Sequence, residues 1–516
     1  MSEPPALHIV TVAYGGWGHV RPLCALAANL ARLRAPHQTV LVAPYNHDKV
    51  AAEIAKNFEE GEDALQRRIR VVAIETHATN IYDYDVVGAS FAAAYQKLAR
   101  GEPVTCAYLQ QELPALSPPR GLILDIMAYP LMQTASKLDG NVKILCSGAG
   151  SMLAIYMLTI AGGPISADGT TAFERLVEAQ RQKSGATIRE AADTVGSDPS
   201  DKIMQVPGLP PMYVYENFPQ ELVSKVPMGY ARYLALKMVK ECDGFIAASM
   251  PCVEPAEVIA AFTKFYARMS KKLYLLGPLL PTTQRAAAAD AQQAEKSPEV
   301  GAFLARALQE HGARSLVYIS FGTLFWPTQP EQVWTFLDVL IEKQIPFIMA
   351  HASKLAQVPD AVKAKISAAG TGLLVPWAPQ QAILEHPATG WFVTHAGFNS
   401  VVEAVCAGVP MICWPFAADQ PLNTVHLTEN LRAGYELLAV RTGHGLRARA
   451  RTGTAPAGTL DAVRAEAREV LVRAFGADGE ERRANVGALR ERSEGLWRPG
   501  GGAWRAGEEM LDDLAA

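Results

Sequence analysis

Short apolar, β-branched runs recur along this chain, separated by stretches in which apolar residues return every three or four positions. The first run, LHIVTVA at 7–13, ends in Tyr14-Gly15-Gly16-Trp17-Gly18, and a helical stretch follows from about His19. There Val20, Leu23, Cys24, Ala27, Leu30 and Ala31 repeat at helical spacing. Pro22 suits a first turn, where the N–H it lacks has no intrahelical acceptor. Further strands are predicted at 39–43, 70–74, 121–126, 142–147, 243–248 and 273–276, with helical segments between several of them. Strands alternating with helices predict a parallel, doubly wound sheet. Residues 150–240 are less regular, with apolar, methionine-rich pieces such as SMLAIYMLTI and PPMYVYENFP. These read equally as a pocket wall or as ordinary packing.

The alternation breaks at 281–300, an alanine-rich and polar stretch that reads as an interdomain linker, unstructured or weakly helical. It then restarts: strand 315–320, helix 330–343, strands 346–350 and 372–375, helix 379–385, strand 391–394, helix 399–407 and strand 410–414. The expected organisation is an N-terminal domain over 1–280 and a C-terminal α/β domain over 301–499. The tail from 459 carries long Ala/Arg/Glu/Leu helical patterns broken by Pro499 and Gly500 to Gly502. A last helix at about 500–516 is expected to pack back on the N-terminal domain.

Composition narrows the class. A chain of 516 residues is too long for one ordinary core. With 49% apolar and 19% charged residues it reads as a soluble globular protein. The formal charge of −4 provides no basic field to recruit nucleic acid. Seven cysteines (24, 106, 146, 242, 252, 406 and 413) form no C-x-x-C pair and sit mostly in apolar runs, so reduced core thiols and a cytoplasmic setting are expected. The opening MSEPPALHIV has neither the basic nor the apolar region of a secretory signal, and none is expected. No run reaches the roughly 18 to 20 apolar residues of a membrane span. Peripheral membrane contact stays compatible with a lipophilic substrate.

Three constellations carry chemistry. The glycines before His19 follow a strand and open a helix, letting backbone approach a ligand closely. They do not form G-x-G-x-x-G, which leaves a dinucleotide site without its fingerprint. His19 is placed for general base work near neutral pH, or for capping or packing. Asp125, in GLILDIMAYP, ends an apolar strand at the same sheet edge. It can orient the imidazole, cap the helix starting near Ala128, or do both. The third constellation is the stretch 377–420, WAPQQAILEHPATGWFVTHAGFNSVVEAVCAGVPMICWPFAADQ, which contains a strand, a glycine turn and a helix start. A helix N-terminus presents unpaired N–H groups and partial positive charge, suited to a phosphate or diphosphate. His395 ends the strand, Gly397 removes a Cβ where phosphate would approach, and Asn399 and Ser400 lie in the first turn. Glu403 shares a face with Asn399 and can accept from a ribose diol. Trp377 can stack on a flat base, or be core. Asp419 and Gln420 offer acceptors and a donor to sugar hydroxyls. A D-x-D pattern at Asp83-Tyr84-Asp85, which can hold a divalent metal, lies far in sequence from the phosphate turn; no metal is expected there, and no His/Cys spacing suggests zinc. The basic run 441–453 reads as a solvated loop.

The 44 residues of 377–420 resemble the signature box of the family 1 UDP-sugar-dependent glycosyltransferases, through WAPQ, the H-x-G-x-N-S-x-x-E core, GVP and the final DQ. GGWGHVRP, Asp125, PGLPPM at 207–212, LYLLGPL at 273–279 and SFGT at 320–323 extend the resemblance over most of the chain. It implies a GT-B fold, two doubly wound Rossmann-like domains facing each other across a cleft, with the donor in the C-terminal domain and the acceptor in the N-terminal one. Carried over by position, Trp377 stacks on uracil, with Ala378 and Gln380 near the uridine. Glu403 holds the ribose, and His395, Gly397, Asn399, Ser400 and Thr323 meet the diphosphate. Gly18 is counted with the donor-binding residues. Asp419 and Gln420 read the sugar, a final Gln accompanying glucose, and His19 is the general base with Asp125 its partner. Ala396 and Phe398 stand where plant members have Cys and Trp. The sequence after the box and the 441–453 loop resemble fungal members more than plant ones.

The expected activity is an inverting transfer of a hexose, glucose from UDP-glucose foremost, to a hydroxyl of a small phenolic, terpenoid or lipid-like acceptor. His19 takes the proton while the helix N-terminus and His395 neutralise the leaving UDP without metal or other cofactor. A monomer or weak dimer is expected. The alternatives are a UDP-sugar epimerase or hydrolase of the same fold and a non-catalytic UDP-sugar-binding protein.

Overall fold

The structure is a computed structural model that describes residues 7–76, 84–160, 170–196, 199–223, 228–282, 284–286, 288–289 and 297–516. Its strands, in chain order, are β1 (His8–Val12), β2 (His37–Val42), β3 (Ile69–Ala73), β4 (Val104–Cys106), β5 (Gln111–Leu113), β6 (Gly121–Asp125), β7 (Lys143–Gly148), β8 (Ile203–Met204) and β9 (Met212–Tyr213). They continue as β10 (Gly244–Ala247), β11 (Lys272–Leu275), β12 (Leu316–Ser320), β13 (Phe347–Ala350), β14 (Gly372–Val375), β15 (Thr389–Thr394), β16 (Met411–Cys413) and β17 (Gly434–Glu436).

The chain divides into two compact units. The first comprises Met1–Ser197, Pro227–Ala287 and Gly495–Ala516. Its seven-stranded sheet runs β11-β10-β7-β6-β1-β2-β3, and each pairing is parallel. The inner strands β1, β6, β7 and β10 are almost wholly buried, largely apolar runs, as a sheet covered on both faces requires. Strand order reverses between β1 and β6, and that switch point is where the loops leaving the two strands diverge and open a crevice. The helix Gly502–Ala515 belongs to this unit. Its Asp513 meets Tyr274 Oη at 2.6 Å and Lys272 Nζ at 2.9 Å, and a Cβ at Gly121 would lie 2.8 Å from Leu514. The start of the linker stretch belongs here too, since Gln284 N donates to Glu59 Oε2 at 3.0 Å and Arg285 pairs with Asp63 at 2.7 Å.

The second unit comprises Asp198–Val226 and Ala288–Glu494. Its six-stranded sheet runs β14-β13-β12-β15-β16-β17, again parallel throughout. Here the order reverses between β12 and β15, so the ends of these two strands flank the crevice.

Three sequence expectations change. Residues 199–223, taken with the N-terminal domain, cluster with the second unit: Gln220 Nε2 donates to Val440 O at 2.7 Å and Glu221 N to Thr442 Oγ1 at 2.7 Å. The basic run 441–453 is not a solvated loop. Arg441, Arg449 and Arg451 carry side chains that are 2%, 10% and 7% exposed and converge on Glu436, with Arg451 also 3.5 Å from Glu216. A pattern of alternating arginines suggests a wet surface, but the carboxylates that neutralise it lie far away in sequence. Finally, the helix after β1 spans Trp17–Arg34, which puts Pro22 in its second turn and not its first.

Candidate active site

In the first unit, chemistry gathers at the switch point. β1 runs out into Gly15, whose φ of +120° is open to glycine and strained for other residues. Gly16 then caps the helix that carries His19, whose N–H donates to Gly16 O at 2.8 Å. Gly18 lies in the same first turn. Asp125 is the last residue of β6, beside β1, and is 1% exposed. His19 Nδ1 and Asp125 Oδ2 are 2.6 Å apart. Asp125 Oδ1 accepts from Met127 N at 2.9 Å and from Tyr84 Oη at 3.3 Å. The cap position of the next helix falls on Ala128, which has no capping side chain, and the Asp125 carboxylate serves the backbone just ahead of it through Met127 N. A carboxylate held on two sides fixes Nδ1 as the protonated nitrogen and puts the neutral ring's lone pair on Nε2. Of the D-x-D pattern, Asp83 lies outside the described residues. Among the described residues, no group of three or more His, Cys, Asp or Glu is arranged to hold a metal ion.

In the second unit the stretch 377–420 folds into neighbouring pieces of one sheet edge. Trp377 leaves β14 with its side chain 47% exposed, although Trp is large enough to favour burial. Ala378 beside it is buried, and Gln380 opens the helix Gln380–Glu385. Gln380 Nε2 lies 2.5 Å from Glu403 Oε2 and 3.4 Å from Ser400 Oγ, joining the two halves of the predicted nucleoside contacts. Tyr318 Oη, from β12, reaches Gln380 Oε1 at 3.4 Å. The sequence reading missed this tyrosine, whose only signal was a polar group inside an apolar strand.

His395 leaves β15, and glycines from two elements lie close to its ring. A Cβ at Gly397 would lie 2.6 Å from its Nε2, and one at Gly322, after β12 and at φ +72°, would lie 3.2 Å from the ring. Gly397 therefore makes room for the imidazole, a steric reason beyond the approach of a phosphate. Burial lowers the His395 pKa to about 4, against a smaller opposing pull from the Ser320 backbone. At neutral pH this ring is uncharged, so it can offer an anion a hydrogen bond but not the positive charge expected of it. Thr323, also after β12, is exposed.

The helix Phe398–Ala407 follows, with Gly397 as a cap that lacks a side chain. Asp419 supplies what the cap lacks: its Oδ2 accepts from Phe398 N at 2.8 Å. Asn399 and Ser400 occupy the next two positions of the turn. Gln420 is buried, and its Oε1 accepts from Phe416 N at 2.7 Å and Ala417 N at 3.1 Å. Its carbonyl thus belongs to its own turn, and the amide N–H₂ is the end suited to a ligand acceptor.

A family model described as UDP-glucoronosyl and UDP-glucosyl transferase matches residues 230–444. A UDP-glycosyltransferase, eriJ, of Hericium erinaceus is 30% identical over 520 residues, covering 98% of both chains. An anthocyanidin 3-O-glucosyltransferase of Vitis vinifera is 41% identical over 131 residues, 25% of this chain and 28% of that one. Among solved structures, a transferase of Siraitia grosvenorii in complex with UDP superposes with a TM-score of 0.68 at 19% identity, over 99% of this chain and 100% of the other. One of Medicago truncatula, complexed with UDP-glucose, gives 0.66 at 16% identity over 99% of each. Two Rossmann-like parallel sheets, the sequence kinship along the whole length and these folds agree: the chain belongs to the UDP-glycosyltransferase family and is a glycosyltransferase enzyme of the GT-B fold.

Proposed function

We propose that this enzyme is an inverting glucosyltransferase that moves glucose from UDP-glucose to a hydroxyl of a small lipophilic acceptor, with His19 as general base. The observation that carries the reading is the 2.6 Å contact between His19 Nδ1 and a fully buried Asp125 at the switch point of the first sheet. In the proposed step Nε2 takes the acceptor proton as the oxygen attacks the anomeric carbon. The bond from that carbon to the diphosphate oxygen breaks, UDP departs, and Asp125 stabilises the imidazolium.

In the second unit Trp377 stacks on uracil, beside Ala378 and the Gln380 amide, and Glu403 holds the ribose. The diphosphate lies against Thr323, His395 and the helix start at Asn399 and Ser400, where N–H groups and the helix dipole replace a metal. Gly397 keeps that approach open. Asp419 and the amide of Gln420 read the sugar. Support for glucose and for a phenolic class of acceptor comes from the relatives described as anthocyanidin and flavonol 3-O-glucosyltransferases. Support for a cytoplasmic setting comes from seven cysteines that are all free thiols, six of them buried. No helix among the described residues is long and apolar enough to cross a membrane.

The test is mass spectrometry of products from a panel of phenolic, terpenoid and lipid alcohols with UDP-glucose, UDP-galactose and UDP-xylose. A glucosylated acceptor with stoichiometric UDP is expected. Free sugar plus UDP without any acceptor would point to a hydrolase or epimerase instead. His19→Ala is expected to lower kcat by roughly 10²- to 10⁴-fold, and near-normal turnover in that variant would remove His19 from the mechanism.

A further inference from the structure

We propose that Asn423 is a positioning residue for donor-sugar recognition, acting through Asp419. This inference rests on the reading of Asp419 as a sugar contact. Asn423 is 5% exposed in the helix Gln420–Val425. Its Nδ2 donates to Asp419 Oδ2 at 2.8 Å and to Ala396 O at 2.9 Å. A carbonyl and an ionised carboxylate both only accept, so the amide orientation is fixed by chemistry, and the two N–H hydrogens match the two acceptors.

Both partners need restraint. Ala396 sits at φ +60° in the left-handed region that an alanine rarely adopts, directly ahead of Gly397 and the helix Phe398–Ala407. Asp419 follows Ala418, also left-handed at φ +59°, and its Oδ2 additionally accepts from Phe398 N. One buried amide therefore ties the turn at the diphosphate end to the carboxylate at the sugar end. Without it, Oδ2 keeps the Phe398 N–H but loses the side-chain donor that sets its direction from the helix Gln420–Val425. Around the nucleoside, Gln380 Nε2 is tied to Glu403 Oε2 at 2.5 Å and Trp377 is 47% exposed. The turn at the diphosphate end keeps bonds of its own, Ala396 N to Thr394 Oγ1 at 3.2 Å and Val401 N to Gly397 O at 3.1 Å, so the clamp predicts damage to sugar recognition without matching damage to nucleotide affinity.

The experiment compares wild type, Asn423→Ala and the isosteric Asn423→Asp by calorimetric binding of UDP and UDP-glucose. Steady-state kinetics with UDP-glucose and UDP-galactose complete the comparison. UDP affinity is expected to stay within about 3-fold. The kcat/KM for UDP-glucose should fall by about 10- to 100-fold, as for loss of a hydrogen bond to a charged group. The preference for UDP-glucose over UDP-galactose should shrink with it. In an Asp419→Ala background, Asn423→Ala should change UDP-glucose binding no further, because a residue acting through another has nothing left to position. A parallel loss of UDP affinity, an unchanged sugar preference or additive effects in the double variant would each overturn the proposal. Loss of cooperative unfolding in both single variants also counts against it, since that assigns Asn423 to the fold alone. A wild-type enzyme without turnover of either UDP-sugar refutes the glucosyltransferase reading instead. The coupling between Asn423 and Asp419 in UDP-glucose binding is still readable in that case.

Discussion

The confinement of His395 by two glycines makes Gly397→Ala a sharp test of how the diphosphate end is built. Gly397 has φ −64° and ψ 147°, a conformation that alanine adopts freely, so the backbone itself resists nothing. The whole penalty comes from the new methyl group, which would sit 2.6 Å from His395 Nε2, 3.1 Å from Cδ2 and 3.3 Å from Cε1. Ordinary contact between carbon and such atoms is about 3.5 to 4.0 Å, so the ring must retreat by close to an ångström. Gly322, on the loop after the neighbouring strand β12, also lies close, since a Cβ there would meet Cε1 and Nε2 at 3.2 Å, so the ring has little free space around this edge. Overpacking of this kind costs about 1 to 3 kcal/mol. In a unit of this size that is a fall in Tm of roughly 2 to 8 °C. Calorimetry with UDP and a thermal melt of the same sample are the assays. UDP affinity should fall by more than tenfold, because the imidazole and the start of the helix move together. A variant with wild-type melting and wild-type UDP affinity would refute the close packing of His395 against Gly397.

Other outcomes follow from single groups. Trp377→Ala should leave stability nearly unchanged, since the indole is already 47% exposed, while weakening UDP binding by about 3- to 10-fold for a lost stacking partner; equal UDP affinity would place the base elsewhere. Glu254 accepts from Met152 N at 2.9 Å, and burial raises its pKa to about 7. A raised folded pKa means the native state binds the proton more tightly. The stability this contributes is complete below about pH 4.5 and is lost as pH rises through 7. Glu254→Gln removes that dependence, so relative to wild type the variant should gain about 3 kcal/mol between pH 4.5 and 7.5, at about 1.4 kcal/mol per unit; a flat difference in urea titrations across that range would show the carboxyl titrating normally. Glu436 is held below its ordinary pKa because Arg441, Arg451 and Arg449 outweigh the upward push of burial. Glu436→Gln strands these guanidiniums and should cost about 3 to 5 kcal/mol, read as a lower urea midpoint, and wild-type stability would mean that Glu216 alone balances the arginines.

Much of the architecture was legible in the hydrophobic pattern. The strands of both main sheets up to β16 fall within a few residues of their predicted spans, because a parallel strand buried on both faces must be a short continuous apolar run. β17, with the sequence GYE, is three residues long and polar at one end, and it is formed by pairing with β16 rather than by any preference of its own. The hairpins β4–β5 and β8–β9 were equally silent for the same reason.

The candidate chemistry divides in the same way. Spacing along the chain determined which residues belong together inside 377–420, since a strand, a turn and a helix start fix their neighbours within a few positions. It also determined the family, whose box is long enough to be specific. Tertiary structure alone decided the pairings across strands. Only the adjacency of β1 and β6 brings His19 onto Asp125, 106 positions away. Only the adjacency of β12 and β15 sets Gly322 against His395 and buries that ring into neutrality. The arginines of 441–453 became a buried ion cluster because Glu216 and Glu436 arrive from other parts of the fold. A sequence encodes local periodicity directly, but hydrogen bonds, burial and the pKa values that follow from them depend on distances that exist only after the chain has closed on itself.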